Sequence, residues 1–136
     1  MLRETSISGM KREGIPKGQC VFVARKRGND EIAPSEKLFQ DFSSAKKSLE
    51  RELGKGSAEA HNRAFLACRY EERFREQILG NPQALEKLEA ISRRAENDDV
   101  FLACYEGPGK ACHRRILLRI AEEQFGAKVL LEGVEP

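Results

Sequence analysis

Apolar positions along the chain alternate between short continuous runs and longer stretches spaced by three and four. CVFVA, residues 20–24, lies between the turn-like GIPKG and the polar RKRGND. It predicts a buried strand that ends in a basic loop. Leu38, Phe42, Ala45, Leu49 and Leu53 follow Pro34 and Ser35 at helical spacing, with a weak point at Ser43 and Ser44 and a stop at Gly54 and Gly56. This is an amphipathic helix. A second helical stretch opens after Ser57, a capping residue, and is best patterned in RYEERFREQIL, where Tyr70, Phe74 and Ile78 share a face before Gly80. A third starts at Asn81 and Pro82 and carries Leu85, Leu88, Ile91 and Ala95.

VFLACY, residues 100–105, is apolar throughout rather than alternating. That pattern fits a strand covered on both faces, as in a parallel sheet. After the loop EGPGKA, the segment HRRILLRIAEEQF puts Ile116, Leu117, Ile120 and Ala121 on one side, and KVLL at 128–131 reads as a last short strand. Strand, loop, helix, strand defaults to a right-handed βαβ unit. The expected fold is therefore α/β: a single-domain three-layer sandwich over residues 1–136, with a small, mostly parallel central sheet flanked by helices.

Composition narrows the function classes. Hydrophobic residues make up 40% and charged ones 34%, which argues for a folded domain with a charged surface. With 24 basic and 22 acidic residues the net charge is +2, so the overall field favours neither nucleic acid nor membrane. No apolar run approaches the roughly 20 residues that a membrane span requires. MLRETSISGMKREG is charged and has no apolar signal core, so the cytoplasm is the expected location. In that compartment Cys20, Cys68, Cys104 and Cys112 are expected as free thiols.

The chemistry concentrates in CYEGPGKACHRR, residues 104–115, at the predicted junction of strand and helix. Parallel sheets place ligands there. A helix N-terminus offers free N–H groups and partial positive charge, and Arg114 and Arg115 add full charges, so an anion is the expected ligand. The same surroundings favour a thiolate. Cys112 is the better-placed nucleophile and Cys104 an assisting or resolving thiol. His113 is the candidate base, and Glu106 would orient it or act as an acid. Arg25 and Lys26, after the first strand, are further candidates for the anion. The bland alternative is that Cys104 is a small buried residue and the polar group only caps the helix. No metal site is expected, because the spacing lacks a CxxC knuckle and offers three ligands, two of them adjacent. No cofactor is expected either: GPGK is neither a Walker loop nor a GxGxxG fingerprint. His61, in the polar stretch AEAHNRA, reads as a surface or capping residue, and Tyr70 and Phe74 as core.

LACYEGPGKACHRR resembles the domain-of-unknown-function 488 family, whose mark is a strand ending in cysteine, a short loop and then Cys-His-Arg. VARKRG, EIAPSEKL, EERFREQIL and NPQALEKL are similar to family segments in the same order, so the resemblance spans about residues 15–125. It implies an α/β fold and a site built from Cys104, Cys112, His113 and Arg114. It implies no particular activity. GKGSAEAHNRAFLA, residues 54–67, departs from the family pattern.

Three readings of function follow. The first is a domain binding a small, nucleotide-like anion, with thiol-dependent catalysis at residues 104–114. The second is a nucleic-acid-associated module using Arg25, Lys26, Arg27, Arg114 and Arg115, which the near-neutral charge disfavours. The third is a redox module pairing Cys104 with Cys112. The sequence implies no membrane partner and sets no oligomeric state.

Overall fold

The charged N-terminal segment forms a central strand of the sheet. In the computed structural model, which describes residues 1–107 and 109–132, β1 (Leu2–Ser6) lies between β3 (Val100–Cys104) and β4 (Val129–Leu130). A further strand, β2 (Cys20–Phe22), pairs with the other side of β3, giving the order β2-β3-β1-β4 with every pairing parallel. The expected strand, helix and strand at the C-terminal end are present. Their strands are not neighbours, however, since β1 is inserted between them.

Nothing in LRETS alternates cleanly, and long-range partners explain why it is still a strand. Leu2 is buried in the core. Arg3 holds its guanidinium 5.1 Å from the centre of the Phe101 ring. Glu4 is buried, and its carboxylate is answered by Arg114, Arg115 and the backbone N–H of Glu132.

Two cores of unequal size flank the sheet. On one face α1 (Ile7–Glu13), capped by the Ser6 hydroxyl accepting from the Gly9 N–H at 2.9 Å, lays Ile7 and Met10 on Cys20, Phe101 and Ala103. The other face carries the main core. There Leu2, Val100 and Leu102 pack under side chains of α2 (Glu36–Leu53), α4 (Tyr70–Leu79), α5 (Pro82–Arg94) and α6 (His113–Phe125). The three-layer α/β expectation holds, with one short helix as the thin layer.

Helix α2 runs unbroken through Ser43 and Ser44. The stretch after Ser57 is two helices, α3 (Ala58–Ala67) and α4, separated where Arg69 adopts a left-handed backbone at φ 56°. No helix among the described residues is long and apolar enough to cross a membrane.

The register fixes where a site can form. Phe22 pairs with Ala103, and the Val23 N–H donates to the Ala103 carbonyl at 3.0 Å. The chain leaving β2 therefore runs beside the chain leaving β3.

Candidate functional site

Where β2 and β3 end, the chain encloses a cavity of about 420 Å³. Its size lies within the range of small-ligand sites, and its place is the one parallel sheets favour. Phe42, Phe65 and Tyr70 wall it, with the Phe65 and Tyr70 rings stacked at 4.3 Å and Phe42 edge-on to both. Arg25 and Lys26 stand at its edge, the Arg25 guanidinium 4.6 Å from the centre of the Phe39 ring. Lys26 has φ 61°, and its N–H donates to Asp30 Oδ1 at 2.8 Å. A non-glycine residue held left-handed after a strand is a conformation the surroundings must enforce.

Cys104, Glu106, Cys112 and His113 meet in the cavity. Cys104 is the last residue of β3, Glu106 starts the loop, and Cys112 is the N-cap of α6. His113 Nε2 lies 2.7 Å from the carbonyl oxygen of Val23. Only a protonated nitrogen can donate to a carbonyl, so Nε2 carries the hydrogen. In the neutral ring this leaves the Nδ1 lone pair, which lies 3.6 Å from Cys112 Sγ. Phe74, edge-on at 5.4 Å, holds the imidazole from the side.

Glu106 Oε2 accepts from Cys104 Sγ at 3.0 Å and from Cys112 Sγ at 3.4 Å. Burial alone would raise the Glu106 pKa. The hydrogen bonds from Cys104, its own backbone and Cys112 outweigh burial and hold it below the usual carboxylate range. Cys104 is pushed well above the usual thiol range, first by its hydrogen bond with Cys112 and then by burial. Cys104 therefore stays a donor to a charged carboxylate. The Tyr70 hydroxyl is likewise held protonated, chiefly by burial and further by the charge of Glu106.

His61 also lines the cavity, contrary to its reading as a surface residue. It is 2% exposed, with Nε2 at 2.6 Å from the Ala111 carbonyl and Nδ1 buried without a partner among the described residues. Beside it, Asn62 accepts from the Ala111 N–H and donates to the Gly109 carbonyl, both at 2.8 Å. Together they pin the loop that delivers Cys112; Pro108 of that loop lies outside the described residues. The segment 54–67 thus supplies one wall of the cavity and the clamp on its loop.

Burial holds the His61 pKa below the usual histidine value, against the opposing pull of the Ala111 carbonyl. The folded protein keeps His61 neutral in conditions where the unfolded chain protonates it. Stability contributed at this position is therefore present above about pH 6.5 and lost as pH falls through that value. His61→Gln retains an N–H for the Ala111 carbonyl and removes the titration. Urea midpoints compared between about pH 7.5 and pH 5.5 should fall further in the wild type than in the variant, and equal slopes would contradict this.

Arg114 and Arg115 are placed elsewhere. Arg114 is 2% exposed and binds Glu4 Oε1 at 2.9 Å and the carbonyls of Thr5 and Glu106 at 3.2 and 2.7 Å. Arg115 donates to both Glu4 oxygens and to the Glu132 carbonyl. The structure therefore brings Cys104, Glu106, Cys112 and His113 together, adds Arg25 and Lys26 at the edge, and turns Arg114 and Arg115 toward β1. The residues in and beside the cavity not assigned to the site from the sequence are His61, Asn62 and the aromatic wall. For His61 the one local signal was its place a turn after the Ser57 cap, next to Ala60 and one turn before Ala64, both fully buried.

Residues 13–124 match the model of the family DUF488-N3a, described as the active DUF488-N3 subclade. No curated protein and no solved structure matches the chain. Every residue of the cavity named above lies inside the matched span, and the family resemblance noted at the loop is borne out: the chain belongs to the DUF488-N3a family.

Proposed function

We propose that the cavity binds a small, nucleotide-like anion and that Cys112 attacks it as a nucleophile, with His113 as base. One observation carries this reading. The Val23 carbonyl fixes the tautomer of His113, so that its Nδ1 lone pair lies within reach of the Cys112 thiol. In the first step the Cys112 proton passes to Nδ1, and the freed sulfur pair forms a bond to an electrophilic carbon. The electrons of the broken bond leave with the departing group, which takes the proton back from His113.

The anion belongs at the edge of the cavity, with Arg25 and Lys26. Sulfurs and a carboxylate crowd the inner end, where a negative group would be repelled. Phe42, Phe65 and Tyr70 suit a flat, apolar part of the ligand. The nucleic-acid reading is weaker here, because Glu4 engages Arg114 and Arg115.

Alkylation by iodoacetamide near neutral pH, mapped by mass spectrometry, tests the reading. Cys112 should react at least about tenfold faster than free cysteine, and adenosine monophosphate should protect it where inorganic phosphate does not. A Cys112 rate no higher than that of free cysteine sinks the thiol chemistry. Equal protection by phosphate and the nucleotide, or none by either, sinks the ligand class.

A further inference from the structure

The inner end of the cavity is rich in electron pairs, and among the described residues no Lys or Arg side chain hydrogen-bonds to the Cys104, Cys112 or Glu106 side chains. Cys104 Sγ, Cys112 Sγ and a ring nitrogen of His113 all lie within 4.8 Å of one another, and Cys112 Sγ is 3.6 Å from Nδ1. Glu106 Oε2 is 3.0 and 3.4 Å from the two sulfurs. The Arg114 guanidinium donates to the Glu106 backbone carbonyl, not to its carboxylate, and is paired with Glu4. Anions bind poorly in such a place, whereas a soft or borderline divalent cation is favoured by thiolate and imidazole donors.

We infer that Cys104, Cys112 and His113 form a zinc site, with the charged Glu106 carboxylate beside the two sulfurs. The spacing in sequence gave no reason to expect one, since the knuckle that marks many zinc sites is missing. The fold supplies what the spacing lacks: Cys104 comes from the end of β3, and Cys112 and His113 come from the start of α6.

Geometry supports the assignment. In a tetrahedral zinc site with ordinary bond lengths, a sulfur and a nitrogen ligand stand about 3.5 Å apart. Cys112 Sγ and His113 Nδ1 are 3.6 Å apart. The outer contacts are those of a metal ligand too: the imidazole donates its other N–H to a backbone carbonyl, which fixes the tautomer and turns Nδ1 inward. Asn62 holds the loop before Cys112 at both Gly109 and Ala111, so the donors are set in place beforehand. The cavity is the entry path. On binding, the two thiol protons go to solvent and the sulfurs become thiolate ligands. No electron is transferred.

This inference shares its residues with the thiol reading and gives that reading a brake, because a sulfur bound to zinc is not free to attack. Cobalt(II) titration of reduced, metal-free protein, followed by absorption, tests it directly. One cobalt per chain should produce a thiolate-to-cobalt charge-transfer band with the visible bands of tetrahedral coordination, and zinc should bleach both. Cys104→Ser and Cys112→Ser should each lose the charge-transfer band or most of it. Glu106→Gln should weaken binding by roughly 10–100-fold.

Saturating zinc should also slow alkylation of Cys112 at least about tenfold, with EDTA restoring the rate. The absence of any charge-transfer band in excess cobalt overturns the inference, as does a band unchanged in both serine variants. The two readings fail separately. Slow alkylation of metal-free protein with the cobalt band intact removes the thiol chemistry alone, and fast alkylation without the band removes the zinc site alone.

Discussion

Glu4→Ala is expected to cost about 3–5 kcal/mol of folding stability. The Glu4 carboxylate sits within the sheet with 0% side-chain exposure, and the Arg114 side chain facing it is 2% exposed. Removing the carboxylate leaves the guanidinium in the same dry place with only the carbonyls of Thr5 and Glu106 for company. Breaking a buried pair from one side costs far more than the pair's net worth, because the remaining charge has lost both its water and its counter-ion. The Glu132 N–H loses its acceptor at the same moment, and the Arg115 guanidinium keeps only the Glu132 carbonyl. Domains of this size are stable by only about 5–15 kcal/mol, so a large share of the total is at stake. Urea unfolding followed by circular dichroism measures it. Glu4→Gln, which keeps an acceptor oxygen but no charge, should lose less than the alanine variant. A loss below about 1 kcal/mol for alanine would show that Arg114 finds another partner.

His113→Gln is expected to lower the alkylation rate of Cys112 by about 100-fold, the low end of what a positioned base contributes. Glutamine keeps an N–H for the Val23 carbonyl and about the same reach, but cannot take a proton from sulfur. Far-ultraviolet circular dichroism should match the wild type, which separates lost chemistry from lost fold. Cys104→Ser is the companion measurement. Cys104 donates to Glu106 rather than to His113, so the Cys112 rate should change much less. A His113→Gln protein that alkylates at the wild-type rate would mean that the imidazole packs against Phe74 and does nothing for the thiol.

The parts of the fold that were legible in the sequence are those whose pattern is local. β3 announced itself as a continuous apolar run and α6 as a helical repeat, and the junction between them marked the site. Four of its residues, Cys104, Glu106, Cys112 and His113, could be named without coordinates. What was illegible depends on partners far away in the chain. LRETS looks like charged surface, because the arginine that makes Glu4 acceptable inside the sheet lies 110 positions on. Arg114 looked available to a ligand for the same reason. His61 sits among polar neighbours, and its burial comes from α3 packing on α2, where Phe42 meets its ring edge-on at 5.0 Å. Helical spacing correctly placed Tyr70 in the apolar interior, but periodicity has no means of showing that this interior borders a cavity.

The placement of β1 has a consequence for the order of events during synthesis. Its first residue pairs with Val100 and Val129, so β1 is made long before either strand that flanks it. At the usual pace of a few to about 20 residues per second, that strand waits for seconds with both edges open. An apolar strand left waiting would invite pairing with other chains. Arg3 and Glu4, awkward as they look in the middle of a sheet, carry unpaired charge throughout that interval and meet their partners only when Phe101, Arg114 and Arg115 arrive.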